Sequence, residues 1–241
     1  MALGLGASLS TVRNVSTPPI VTSGLVLKQN YDTGAVVPIS DGAASFDGVD
    51  DYIDTGFQPD FIHTNATMSY WCKVVDFNNS QVIGCNNSKR FYLGVNTDNA
   101  MFGVGDSYKL TLDISAHISV DTWMHLCLVA EDGTATYYLD GVSRDTISYT
   151  QASATNPDTN FFIGARSHSS TDSWVEGNIC NVGIWSAALT QAQIKSIMYK
   201  DYAGLTTSEK TNLVSWWDLD ILHVDGSTVV DSHGSNNGTL T

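Results

Sequence analysis

The sequence is short of glutamate. Of its 25 acidic residues only three, Glu131, Glu176 and Glu209, are Glu; the others are Asp. Aspartate favours turns and caps over helix interiors, so this bias argues for many turns between short elements. Basic residues are also few. Eleven Lys and Arg leave a formal net charge of −14. Such a surface repels phosphate backbones and anionic lipid headgroups, which argues against nucleic-acid binding. Long apolar runs are missing as well. None reaches the ~18 residues that a membrane-spanning helix needs, so no membrane insertion is expected. The four cysteines, Cys72, Cys85, Cys127 and Cys180, include no C-x-x-C pair, so a zinc knuckle or thioredoxin-type site has no support. Cys72 and Cys127 lie in apolar, strand-like runs, where a free buried thiol is the expected state. The start of the sequence, MALGLGASLSTVRNVSTPP, has no basic n-region, and a secretory signal is not expected.

What is present suffices for a real core: 241 residues, 42% hydrophobic and 10% aromatic. Residues 1–20 are small and polar and end in Pro18-Pro19. They read as an extended N-terminal arm, with residues 21–241 as the domain. Within the domain, short apolar segments alternate with turn residues. In WMHLCLVAEDGTATYYLDGVSRDTISY, residues 123–149, the pairs Asp132-Gly133 and Asp140-Gly141 separate strand-like runs. Asp-Gly between such runs is a strong hairpin signal, so this stretch predicts a three-stranded antiparallel meander. Further strands are expected at 25–29, 43–47, 67–75, 81–84, 91–95, 100–104, 109–114, 160–165, 178–185 and 213–219. Their spacing of roughly ten residues fits a two-sheet sandwich. The expected fold class is all-β, with one short helix near 191–200. There Thr190 and Gln193 form a capping-box pattern, and Ile194, Ile197 and Met198 share one face. This helix is expected at the sandwich edge, stopped by Gly204, with Thr206 and Glu209 repeating the capping pattern.

Five segments together resemble the laminin-G-like, concanavalin-A-like jelly-roll superfamily, especially its microbial and viral form. They are AASFDGVDDYI (43–53), TMSYWCKV (67–74), TWMHLCLVAEDGTATYYLDG (122–141), FFIGAR (161–166) and GNICNVGIWSAALTQAQI (177–194). The resemblance implies a two-sheet antiparallel jelly-roll sandwich, frequent glycan binding and often a rim calcium ion. The C-terminal LVSWWDLD (213–220) and VVDSHGSNNGTLT (229–241) resemble what usually opens such a domain. With the MALGLG-type start, this arrangement is similar to structural proteins of tailed, marine bacteriophages.

The stretch SFDGVDDYIDTG (45–56) concentrates four aspartates. Asp47, Asp50 and Asp51 are calcium-ligand candidates, since that hard cation takes several oxygens. The EF-hand spacing is absent, and Asp47-Gly48 between two strands reads as a plain turn. Family members with a rim calcium often carry an acid where this sequence has Cys180, and a thiol is a poor calcium ligand. Simple alternation puts Cys180 with Val182 and Ile184 in the core. Asp231, Asn236 and Asn237 offer a second cation loop or, equally, an Asn/Gly turn. No metal or cofactor is expected, with calcium kept as the alternative.

Catalysis finds little support. Retaining glycosidases of this architecture need paired carboxylates, in an E-x-D-x-E pattern on one strand face. Glu131 lies beside a hairpin, Glu176 falls in a loop, and all three glutamates read as solvated surface. There is no G-x-S-x-G motif and no H-E-x-x-H spacing among the six histidines. His125 reads as a hydrogen-bonded strand residue. For ligand binding, two loops combine aromatic, amide and charged side chains. One holds His168, Asp172 and Trp174, the other Asn86, Asn87 and Arg90. Packing under its own loop is the other reading of Trp174, and turn chemistry that of the asparagines.

The expectation is a non-catalytic virion surface protein of a bacteriophage, a capsid decoration or a tail or fibre component that binds host-surface glycans. It would be assembled in the host cytoplasm and would join other virion proteins or copies of itself, as a homo-oligomer, through the arm. The alternative is a secreted bacterial carbohydrate-binding or adhesion module.

Overall fold

The computed structural model describes residues 37–61, 65–77, 80–86, 89–150, 159–167 and 173–241. They belong to a unit running from Val36 to Thr241. The expected arm, its boundary at residue 20 and the strand expected at 25–29 lie outside the described residues.

In chain order the strands are β1 (Ala44–Asp47), β2 (Ile53–Asp54), β3 (Ala66–Val74), β4 (Ser80–Asn86), β5 (Arg90–Asn96), β6 (Asn99–Gly105), β7 (Ser107–Asp113), β8 (Met124–Glu131), β9 (Thr134–Leu139) and β10 (Val142–Ser148). Then follow β11 (Phe162–Ile163), β12 (Arg166–Ser167), β13 (Glu176–Trp185), β14 (Leu213–Trp217), β15 (Val224–Asp225), β16 (Thr228–Val229) and β17 (Gly238–Leu240). They form two sheets. The first runs β1-β13-β3-β8-β9-β10, with β14 also on β13; the second runs β15-β16-β17-β2-β11-β4-β5-β6-β7, with β12 also on β4. Every described pairing is antiparallel except β12 on β4. The two-sheet antiparallel sandwich expected from the sequence is therefore the fold.

Turn chemistry sets the hairpins. Asp132 and Gly133 (φ 47° and 79°) and Asp140 and Gly141 (φ 51° and 69°) both take the left-handed conformation that a two-residue hairpin requires. Between β5 and β6, Thr97 and Asp98 (φ 46° and 62°) do the same without a glycine. Between the sheets, alternate residues meet in one core that includes Tyr70, Phe91, Phe102, Tyr137, Phe161 and Trp217. Burying each such ring contributes about 1.5–3 kcal/mol. The Tyr70 hydroxyl donates across the core to Leu93 O at 2.8 Å, which ties the sheets together without leaving a buried donor unmet.

The helix α1 (Gln191–Ile197) begins at Thr190 with the expected capping box: Gln193 N donates to Thr190 Oγ1 at 3.3 Å, and Thr190 N to Gln193 Oε1 at 2.9 Å. It ends before Gly204. Its place differs from expectation. Ile194 and Ile197 pack on Cys127, Val129, Trp185 and Trp216, and Met198 on Trp71 and Cys180. These partners line the outer face of the first sheet, so α1 covers a face and not an edge. A second apolar layer results.

The chain's last segment completes both sheets. β14 joins β13 in the first, and β15 to β17 extend the second beyond β2. No described helix is long and apolar enough to cross a membrane.

Candidate functional site

The outer face of the second sheet is built differently from its core face. Along β4, β5 and β6 the residues Ile83, Phe91, Leu93 and Phe102 point into the core. Alternation turns Gly84, Tyr92 and Gly103 outward. Register then lines up one row across five strands. Phe162 pairs with Gly84, Gly84 with Tyr92, Tyr92 with Gly103, and Gly103 with Tyr108. Aromatic residues and glycines thus alternate from strand to strand. Gly103 is required here: a Cβ on it would lie 2.8 Å from the Tyr92 ring and 3.1 Å from Arg90 Cδ. Its absence lets the ring and the arginine stem lie flat across β6.

Two guanidiniums lie on this row. Arg166 stands over the Tyr92 ring, 5.2 Å from its centroid, and Arg90 over the Tyr108 ring at 4.9 Å. Such cation–aromatic contacts also fix the planar group in place. Arg90 is pinned further by Nη1 donating to Asp106 O at 2.9 Å. Tyr92 is buried, and desolvation pushes its hydroxyl up to about 12 despite both arginines. Tyr108 is 53% exposed and offers an open ring edge beside Arg90. At the far end of the row Phe162 packs on Tyr52 at 4.5 Å, and Tyr52 on Trp174 at 5.8 Å.

The strands that lead into the two loops singled out from the sequence are neighbours. β12 runs parallel to β4, with Arg166 beside Gly84 and Ser167 beside Cys85, so both chains leave the sheet in the same direction. Asn86 closes β4 opposite Arg90 on β5. Trp174 returns alongside Ala165 and is half-buried, with its ring against Tyr52. Of the six expected ligand-binding residues, Asn86 and Arg90 face each other across β4 and β5, Trp174 lies at the other end of the row against Tyr52, and His168, Asp172 and Asn87 lie outside the described residues. Tyr108, Tyr92, Arg166, Phe162 and Tyr52 were not anticipated. An outward Tyr92 and Gly94 in FYLGVN, between inward Phe91, Leu93 and Val95, was the available signal.

The aspartate-rich stretch is the crossover from one sheet to the other: Asp47 ends β1 in the first, and Ile53 starts β2 in the second. Carboxylate oxygens of Asp47, Asp50 and Asp51 lie within 4.8 Å of one another. Asp47 Oδ1 accepts from Val49 N at 2.8 Å, and Asp51 Oδ2 from Asp47 N at 3.2 Å. Calcium takes six to eight oxygens. Three carboxylates on an exposed turn, two of them engaged by backbone N–H groups, do not amount to that set. The C-terminal loop is also a turn. Asp231 accepts from the N–H groups of Trp216, His233, Gly234 and Asn236 at 2.9–3.1 Å, which uses both its oxygens to anchor the loop on β14.

Other expectations are corrected at the first sheet. Asn181 sits at a bulge with φ 52°, where the pairing with β3 shifts register. The bulge turns Cys180 outward beneath α1, while Val182 and Ile184 face the core. The thiol is free and buried, and desolvation raises it to about 12, but it is not on their side. Glu176 is the first residue of β13 and not a loop residue. Glu209 is buried instead of solvated. Its carboxylate receives Lys200 Nζ at 2.6 and 2.7 Å, Ser196 Oγ at 2.6 Å and Thr206 N at 2.8 Å. Burial opposes its ionisation, but these donors prevail and hold it at about 2. His125 is a strand histidine as expected. Its Nε2 shares a 2.7 Å hydrogen bond with Ser69 Oγ, and burial lowers it to about 3, which keeps it neutral.

Comparison with known proteins follows the architecture. The pattern of the Concanavalin A-like lectin/glucanases superfamily matches residues 47–195. A candidate carbohydrate binding protein from Bacteroides ovatus is similar in structure, with a TM-score of 0.64 and 21% identity; the match covers 83% of this chain and 57% of that one. Domain 4 of the extracellular arabinanase AbnA from Geobacillus stearothermophilus, in complex with arabinotriose, matches at 0.49 and 17% identity, over 65% of this chain and 76% of that one. The CBM40 of Ruminococcus gnavus IT-sialidase, bound to sialyllactose, matches at 0.48 and 13%, over 68% of this chain and all of that one. No protein with a curated description matches.

Proposed function

The chain belongs to the Concanavalin A-like lectin/glucanases superfamily, and we propose that it binds carbohydrate without cleaving it. The binding surface is the end of the second sheet's outer face where Asn86, Arg90 and Tyr108 lie. The carrying observation is the exposed Tyr108 ring with a guanidinium fixed over it and the amide of Asn86 one strand further on. A sugar ring presents C–H groups on its faces and hydroxyls at its rim. An aromatic ring bordered by rigid hydrogen-bond donors and an amide is complementary to both. Non-catalytic action follows from the acids. On the described part of this face no strand carries two outward carboxylates, whereas glycoside hydrolysis requires a pair about 5–10 Å apart. The fold shared with the Bacteroides protein supports this reading.

The test is a glycan array followed by calorimetry on Tyr108→Ala. The substitution removes an exposed ring, so the melting temperature should hold while affinity falls about tenfold, as for an aromatic anchor at an interface. Absence of any glycan binding, or release of sugar from a bound glycan, would overturn the proposal. The virion and the bacterial adhesion module expected from the sequence are two settings for this one activity. Co-sedimentation of the protein with phage particles or with bacterial cell walls distinguishes them.

A further inference from the structure

We propose that the glycan recognised at this site carries an isolated acidic group, a carboxylate or a sulfate ester, which seats on Arg90; this rests on the carbohydrate-binding reading above. Acids outnumber bases 25 to 11 in the chain, so an arginine side chain has many potential partners. Other cations use them: Lys109 pairs with Asp145, and Lys200 with Glu209. Arg90 does not pair with any described carboxylate. Asp106 gives it a backbone carbonyl, while the Asp106 carboxylate accepts from Ser107 Oγ at 3.2 Å and Thr150 N at 3.3 Å. The guanidinium has five N–H donors in a planar fork, of which one is used by Asp106 O. The side chain is seated on Tyr108 beneath its guanidinium and on the Gly103 floor beneath its stem. A cation that is fixed, half-exposed and without an acid partner among the described residues is prepared for an external anion, and fork geometry favours a carboxylate or sulfate over a point charge.

The remaining charge restricts the class further. A net charge of −14 repels long polyanions. An acidic residue on an otherwise neutral oligosaccharide meets the local cation with little of that repulsion. The ligand is therefore a mono-acidic glycan and not a heparin-like or polyuronate chain.

Calorimetry with the full chain tests this on matched probes: sialyllactose and sulfolactose, each with one acidic group, against lactose, and chondroitin sulfate as the polyanion. The expected result is about tenfold tighter binding of an acidic probe than of its neutral counterpart, the size of a hydrogen-bonded contact to a charged group. The sialyl and sulfo arms tell carboxylate from sulfate. Arg90→Gln should abolish the preference, leave residual binding of the neutral probe and keep the melting temperature. If that variant does not fold, Arg90→Lys serves, because it retains charge and stem but loses the fork. Equal affinity for acidic and neutral probes would overturn the inference and leave carbohydrate binding standing, as would a preference that survives both variants or tightest binding by chondroitin sulfate. Failure of every probe and every array glycan would overturn the carbohydrate reading and this inference together.

Discussion

The two outer faces of the sandwich start from similar material and end differently. Each sheet turns large aromatic residues outward: Trp71, Trp185 and Trp216 on the first, Tyr92, Phe162 and Tyr108 on the second. On the first sheet, α1 and the turns after it cover these rings, and each indole N–H finds a fixed acceptor. Trp71 donates to Met198 O, Trp185 to Glu209 O and Trp216 to Asp218 Oδ1, at 2.7–2.8 Å. The face becomes a second core. On the second sheet the aromatic residues are spaced by glycines and overlaid by arginines, and Tyr108 stays open. An outward aromatic therefore does not mark a binding surface by itself. The two faces differ in extent: on the second, Val82, Tyr92 and Met101 are buried in a small cluster of their own, and it is at the end of the row that the Tyr108 ring is left open.

The largest expected effect breaks the covered face. Trp216→Ala removes a ring packed edge-on to Trp185 at 6.0 Å and leaves a cavity beneath α1. A loss of about 3–5 kcal/mol is expected, measured by urea unfolding. If Trp216→Ala unfolds with the stability of the native protein, the helix layer is not an integral part of the core.

Glu209 sharpens the comparison at the same layer. Its carboxyl is held at about 2 in the fold against a reference of 4.5. A depressed folded value means that the stabilisation is fully present above pH 4.5 and is lost as the pH falls toward 2. At 1.36 kcal/mol per unit, less what solvent screens from a partly exposed ion pair, this amounts to roughly 1–2 kcal/mol at neutral pH. Glu209→Gln should lower stability at pH 7 and flatten the acid limb of the stability curve between those values. A Gln variant with an unchanged acid limb would show that another group controls it. Tyr108→Ala and Arg90→Gln, by contrast, should leave stability nearly constant and act on ligand binding alone.

This division explains what could be read from the sequence. Asp132-Gly133 and Asp140-Gly141 specify their hairpins locally, and Thr190 with Gln193 specifies the start of α1. These signals lie within four residues of each other, and the structure forms all three. The stripe of Ile194, Ile197 and Met198 reveals an apolar face but not its partner. The partner was nevertheless encoded: Cys127 and Val129 lie between Leu126, Leu128 and Ala130, and Trp216 stands next to Trp217. Strands apolar on both faces belong to a sheet covered on both sides. The bulge at Asn181 was not legible, because a single residue in the left-handed region reverses the side of Cys180 with no composition signal. The pairing of Arg90 with Tyr108 was hidden for another reason. It is carried by the register of β5, β6 and β7 together, and a shift by one residue would place the two on opposite faces.

The smallest effect is expected where the two sheets join, at the aspartate-rich crossover between β1 and β2. If this stretch is a turn, the feature that matters is one acceptor oxygen, Asp47 Oδ1, which receives Val49 N. Asparagine supplies the same oxygen in the same place and also tolerates turn geometry. Asp47→Asn should therefore change stability by less than about 0.5 kcal/mol, as for an exposed site whose bonds are kept. Asp47→Ala loses the acceptor and should cost about 1 kcal/mol, the net value of one hydrogen bond. A calcium site makes the opposite demand, because removal of one of three clustered carboxylate charges weakens it even when the oxygen remains. Thermal melting with and without millimolar calcium distinguishes the two. A folded-state ligand at a hundredfold excess over its dissociation constant adds about 2.7 kcal/mol, which would appear as a melting temperature several degrees higher. The turn account expects coincident melting curves for the native protein and Asp47→Asn in both conditions. A rise on adding calcium that Asp47→Asn abolishes would make this crossover a metal loop, and the β1–β2 junction would then be held by an ion and not by its own backbone.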